Sequence, residues 1–262
     1  MALFLTAFRR GAPISCMTII HERAAFVRRA LALTALALLP GCSTLIPEAE
    51  AAAPSDTART IRYWDCCKPG GAWPGKASLK ASPVKSCAKD GKTVVDANTQ
   101  SACSGGSSYM CASQQPWAVN ADLAYGFAAA TMAGRSESDI LCACYELKFT
   151  NGPVANKKLV VQAIARGTDV SANTFELMIP GGGVGIFNGC QSQYGAPADG
   201  WGNRYGGISS LSDCAKLPSD LRPGCNWRFG WFQDANNPSA TFSRIKCPTA
   251  ITDKTGCIRK DD

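Results

Sequence analysis

Apolar and polar residues alternate in short runs along much of the chain. At 174–179 the sequence TFELMI places Phe175, Leu177 and Ile179 on one face of an extended segment and Thr174, Glu176 and Met178 on the other. That period of two marks a strand with unlike faces. CYELKFT at 144–150 alternates in the same way, and KLVVQAIA at 158–165 is a β-branched apolar run. NADLAYGFAAATM at 120–132 reads differently: Asn120 stands where a helix cap would, Ala-rich spacing follows, and a helix is predicted. Many short strands, 25 glycines and a heavy cysteine load predict a mostly β fold, a β-barrel with long loops and a few short helices.

The first forty-odd residues follow another pattern. Arg23, Arg28 and Arg29 precede the apolar run Ala30 to Leu39, which ends in Leu39-Pro40-Gly41-Cys42. A basic stretch followed by an apolar run too short to span a bilayer is an export signal. The small-residue ending before cysteine resembles a bacterial lipoprotein cleavage box, which would make Cys42 the lipidated residue and a membrane attachment point. An ordinary signal peptide with an incidental Cys42 is the alternative. Residues 1 to 16 add nothing to the signal, and Met17 is a second candidate start. Residues 43–58 (STLIPEAEAAAPSDTA) lack aromatics and read as a flexible linker. From 59 to 262 no composition break occurs, so one domain is expected there.

Removing residues 1–42 leaves 22 basic and 19 acidic side chains, a net charge of +3. This is no nucleic-acid footprint, and no basic run interleaved with aromatics occurs. The single histidine, His21, lies within the export signal. The domain therefore cannot form a Ser-His-Asp triad, a Cys-His dyad or an HExxH zinc site. Twelve cysteines follow Cys42, an even number in an exported chain, and they are expected to pair as six disulfides. No CxxC pair is present, so a zinc site is not expected.

With no histidine available, acid–base chemistry falls to carboxyls. In YWDCCKP at 63–69, Asp65 stands behind two aromatics and before two cysteines that would clamp its backbone to different parts of the fold. Sugar rings stack on aromatic faces, and a held carboxylate activates water. Glu176 is the best partner, an acid in the middle of an apolar strand, where burial would raise its pKa. The glycine run at 181–183 after that strand lets backbone and substrate approach closely. It lacks the spacing of a nucleotide loop. Asp169 is either a helper carboxylate or a turn residue. Trp73 and Trp201 lie in glycine-rich stretches, which makes them candidate sugar platforms.

RYWDCCKP at 62–69 resembles the signature of glycoside hydrolase family 45, the small inverting endoglucanases. QPWAVN at 115–120, CACYEL at 142–147, IPGGGVGIF at 179–187, RYGGISS at 204–210 and PGCNWRF at 223–229 follow in the family's order. The resemblance spans roughly residues 59–262. It implies a six-stranded double-psi β-barrel whose groove binds a β-glucan chain. Asp65 matches the general base, and Glu176 stands where the family has an Asp preceded by His-Phe as general acid. Asp169 matches an auxiliary acid. Tyr63, Trp73 and Tyr205 match residues lining sugar subsites, and Lys68 matches a lysine beside the base. Gly71 and Leu141 hold places where seven-bridge members carry a Cys pair. The six remaining bridges implied are 66–190, 67–103, 87–111, 142–257, 144–247 and 214–225.

The resemblance thus implies inverting endo-hydrolysis of β-1,4-glucosidic bonds by a monomer at the cell surface or outside the cell, with neither metal nor organic cofactor. A non-hydrolytic, expansin-like glucan-binding wall protein is the alternative reading. The Asp-to-Glu difference at 176 is what favours it, and Asp65 weighs against it.

Overall fold

Seven strands carry the architecture of the computed structural model, which describes residues 56–262. They are β1 (Asp56–Tyr63), β2 (Trp117–Ala118), β3 (Leu123–Thr131), β4 (Cys144–Phe149), β5 (Lys158–Arg166), β6 (Thr174–Met178) and β7 (Ser239–Ile245). Hydrogen bonding runs in the order β2-β3-β5-β4-β7-β1-β6, and β6 also pairs with β3. Six strands therefore close on themselves as a barrel, and the two-residue β2 is an appendage on β3. Two of the ladders, β1–β6 and β3–β5, are parallel, while β6 meets β3 antiparallel. Closure removes exposed sheet edges.

The alternating segments become strands as expected. On β6, Phe175 and Leu177 point into the core. Phe175 meets Tyr145 and Phe242 edge-on at centroid distances of 5.5 and 5.1 Å, the geometry aromatic rings prefer. β5 is buried on both faces over most of its length, which explains its unbroken apolar run.

The helix expected at 120–132 is a strand, β3. Ala124, Ala128 and Ala130 are fully buried, and β3 is hydrogen-bonded to β2, β5 and β6. Small side chains suit this crowded position, and tertiary pairing overrides alanine's helix propensity. Asn120 caps no helix. Its Oδ1 accepts hydrogen bonds from the backbone N–H groups of Asp122 (2.9 Å) and Leu123 (2.8 Å), forming the turn that leads into β3.

Among the described residues four short α-helices decorate the barrel: α1 (Glu137–Ile140), α2 (Gly189–Tyr194), α3 (Arg222–Phe229) and α4 (Thr249–Thr255). Six disulfides among the described residues tie loops to one another and to β4, α2 and α3: Cys66–Cys190, Cys67–Cys103, Cys87–Cys111, Cys142–Cys257, Cys144–Cys247 and Cys214–Cys225. A native bridge of this kind contributes about 2–5 kcal/mol. The barrel begins slightly earlier than the sequence suggests. β1 starts at Asp56, opposite Phe242 of β7, and Ala58 is buried, so residues 56–58 belong to the barrel and not to a linker. The segment expected to be an export signal, Cys42 and residues 43–55 lie outside the described residues. Among the described residues, no helix is long and apolar enough to cross a membrane.

Candidate active site

A groove of about 670 Å³ crosses one face of the barrel. Its base is set where β1 ends. Trp64 is buried, and its backbone N–H donates to the Gly183 carbonyl at 2.7 Å. The Asp65 carbonyl accepts from Gly189 N–H at 2.8 Å, and its Oδ1 accepts from Cys67 N–H at 2.9 Å. Cys66 holds a left-handed backbone, φ 61°, a conformation that costs a non-glycine residue about 1–3 kcal/mol. The bridge to Cys190 in α2 and the neighbouring bridge from Cys67 to Cys103 hold it there. The two cysteines after Asp65 thus fix one carboxyl at the groove wall. Burial pushes its pKa up to about 6, against the downward pull of the Cys67 N–H and its own backbone N–H.

Glu176 faces the groove from β6, opposite Ile61 of β1 and Ala129 of β3. The β3–β5 register shifts between Ala128 and Ala129. Such irregularities re-aim neighbouring side chains beside functional sites. Glu176 Oε1 is buried and makes no hydrogen bond. Burial pushes the Glu176 carboxyl up to about 7, and the charges of Asp169 and Asp65 push in the same direction. Asp169 is exposed on the segment between β5 and β6 and also lines the groove.

Tyr63 lines the same groove. Burial holds its phenol well above its usual pKa, and the charges of Asp65, Glu176 and Asp169 add to the shift. Trp73 stands half-exposed, with Lys68 Nζ 3.2 Å from its ring centroid. That ammonium also donates to the carbonyls of Ala97 (2.6 Å) and Thr99 (3.0 Å). Lys68 therefore braces one face of the Trp73 ring and the loop behind it. Burial lowers the Lys68 pKa, and Asp96 opposes this.

The far wall joins two glycine-rich loops. Gly185 N–H donates to the Arg204 carbonyl at 2.9 Å. Gly207, at φ 76°, lies so close to Gly181 that a Cβ there would overlap its carbonyl. The close packing presents Ile186, Phe187 and Tyr205 outward, with Tyr205 71% exposed. All three line the groove.

The groove therefore brings together Asp65, Glu176, Asp169, Tyr63, Lys68, Trp73 and Tyr205. Trp201 is not among its lining residues and leans on Tyr194 at 6.2 Å. Trp227 and Trp231 stack on each other at 5.3 Å away from the groove. Ile186, Phe187 and Arg62 also line the groove but were not among the residues singled out from sequence. Two large apolar residues directly after a glycine run were the available signal for the first two.

The comparisons with known proteins agree with this architecture. The profile of glycosyl hydrolase family 45 matches residues 57–258. An endoglucanase of Cryptopygus antarcticus is 57% identical over 205 residues, covering 78% of this chain and 90% of that protein. An endoglucanase of Phaedon cochleariae is 42% identical over 200 residues, covering 76% of this chain and 82% of that protein. The crystal structure of a cellulase from the Antarctic springtail Cryptopygus antarcticus superposes with a TM-score of 0.78 at 55% identity, covering 80% of this chain and all of that one. On the profile match, these relatives and the closed six-stranded barrel, the chain belongs to glycosyl hydrolase family 45.

Proposed function

We propose that this protein hydrolyses internal β-1,4-glucosidic bonds of cellulose or a related β-glucan with inversion, using Asp65 as general base and Glu176 as general acid. The observation that carries this reading is the pair of raised carboxyls in one aromatic-lined groove, Asp65 at about 6 and Glu176 at about 7. Environments that separate two carboxyl pKa values divide the roles of base and acid between them. Asp65, whose carboxylate accepts a backbone N–H, is set to take a proton from water. Glu176, without a hydrogen bond to protein at Oε1 and facing the charge of Asp169, is set to give one to the leaving oxygen. Water attacks the anomeric carbon from the Asp65 side while Glu176 protonates the glycosidic oxygen from the other, as an inverting pair does. Asp169 holds the donor's proton by its charge. Trp73 and Tyr205 offer ring faces to sugars, and Tyr63 lines the same groove close enough to both acids to feel their charge. We extend this reading to action as a monomer. Six disulfides support export to an oxidising compartment, and we extend this to lipid attachment at Cys42.

Asp65→Asn tests the base. It preserves the shape of the side chain, so glucan binding and melting temperature are expected to stay close to wild type while hydrolysis falls about 10²–10⁴-fold. Retention of more than about a tenth of the activity would place the base elsewhere. Binding of glucan by the wild type without any hydrolysis would favour the expansin-like alternative.

A further inference from the structure

Glu176 has a longer arm than the aspartate that the family resemblance places there, so its carboxyl needs room. Its neighbours on the same face of β6, Thr174 and Met178, are themselves buried, at 2% and 1% exposure. The carboxyl lies against Gly167, at the start of the segment that carries Asp169. Gly167 is buried, and a Cβ built on it would overlap Glu176 Oε1. The same Cβ would come within 2.8 Å of Val170 Cγ2 and 3.0 Å of Thr131 Oγ1.

Gly167 is not among the positive-φ glycines, so alanine can adopt its backbone. Space is what glycine supplies here. Thr131 Oγ1 donates to the Gly167 carbonyl at 2.7 Å, pinning this residue against the end of β3. Glu176 Oε1 makes no hydrogen bond to another protein group, so the contact that Gly167 offers it is one of packing.

We propose that Gly167 is a positioning residue for the proton donor: its missing side chain is the notch that seats the Glu176 carboxyl and lets a glutamate serve at this position. The inference rests on the reading of Glu176 as the acid. With a Cβ in the notch, the carboxyl must retreat by about an ångström, and a misplacement of that size costs about 10²-fold in rate.

The experiment compares wild type, G167A, E176D and G167A/E176D on a soluble β-1,4-glucan, measuring kcat, KM and melting temperature. G167A is expected to lower kcat about 10²-fold with KM nearly unchanged, whereas in the E176D background, where the carboxyl is one methylene shorter, the same change costs less than about tenfold. Equal loss in both backgrounds, or no loss in G167A, overturns the proposal. In G167A/V170A the contact with Val170 is gone, and the loss must persist; recovery there overturns it as well. If G167A fails to fold while G167A/E176D folds, the conflict with Glu176 is read as stability and the proposal stands. Failure of both to fold overturns it, because Gly167 would then serve the backbone and not the acid. E176Q, assayed alongside, keeps the two readings apart. A loss independent of leaving group unseats Glu176 as the acid. Leaving-group dependence together with an indifferent G167A unseats only the notch.

Discussion

Replacing Glu176 by glutamine is expected to stabilise the fold, and only above the pH at which a free glutamate ionises. The carboxyl moves from its ordinary value of 4.5 to about 7 in the fold, through burial first and the charges of Asp169 and Asp65 second. A carboxyl with a raised folded pKa contributes stability that is fully present below its unfolded pKa and lost as pH rises through the folded one. A shift of that size corresponds to roughly 3 kcal/mol at about 1.4 kcal/mol per pH unit. Glu176 is partly open to a wet groove, where screening reduces this to about 1–2 kcal/mol. Glutamine cannot ionise and avoids the penalty. For a domain of this size about 1 kcal/mol moves Tm by about 2–4 °C. E176Q is therefore expected to melt about 2–8 °C above wild type at pH 8, after subtracting the difference between the two proteins at pH 4. Calorimetry on the oxidised proteins at the two pH values measures this directly. A Tm difference that is the same at pH 4 and pH 8 would refute the desolvation account. A reversed sign would mean that ionised Glu176 has a stabilising partner.

The same two carboxyls shape the pH–rate profile. kcat/KM is expected to rise as Asp65 ionises through about 6 and to fall as Glu176 loses its proton through about 7, giving a narrow bell whose limbs belong to the coupled pair. D169N removes one of the charges that raise Glu176 and is expected to move the upper limb to lower pH; a plateau extending to pH 9 would contradict these assignments. For the envelope, fatty-acid labelling in a bacterial host is expected to tag the protein at Cys42, with C42A released in soluble form. An unlabelled product cleaved at another residue would leave an ordinary exported enzyme.

Much of the barrel is legible in the sequence because β4 and β6 each show unlike faces with a period of two. The β3 strand is not, because alanine reads as helix until a neighbour on either side claims its backbone. Asn120 misleads for a related reason: the same side-chain oxygen that caps a helix also closes a turn before a strand. Asp65 and Glu176 stand out since each acid sits where a local pattern makes it costly or fixed. The far wall of the groove is harder to read. It is built where the 181–185 loop meets the 204–207 loop, and nothing local to either stretch shows that contact. Trp73 and Trp201 both lie among glycines, yet only Trp73 reaches the groove. Glycine marks the loop but not the face the loop occupies. The room for Glu176 is likewise invisible in sequence, since Gly167 looks like one more turn residue until the barrel sets it against the carboxyl.

The central claim, that Glu176 protonates the leaving oxygen across the groove from Asp65, is tested most directly by the ratio of rate losses in E176Q on two substrates. One is a soluble β-1,4-glucan, whose alcohol leaving group needs a proton. The other is an aryl β-glucoside oligomer with an acidic phenol, which departs without one. Loss of about 10²–10⁴-fold on the glucan with less than about tenfold on the aryl substrate is the predicted result. Equal losses on both would contradict it, leaving Glu176 to shape the groove and Asp169 as the acid to test.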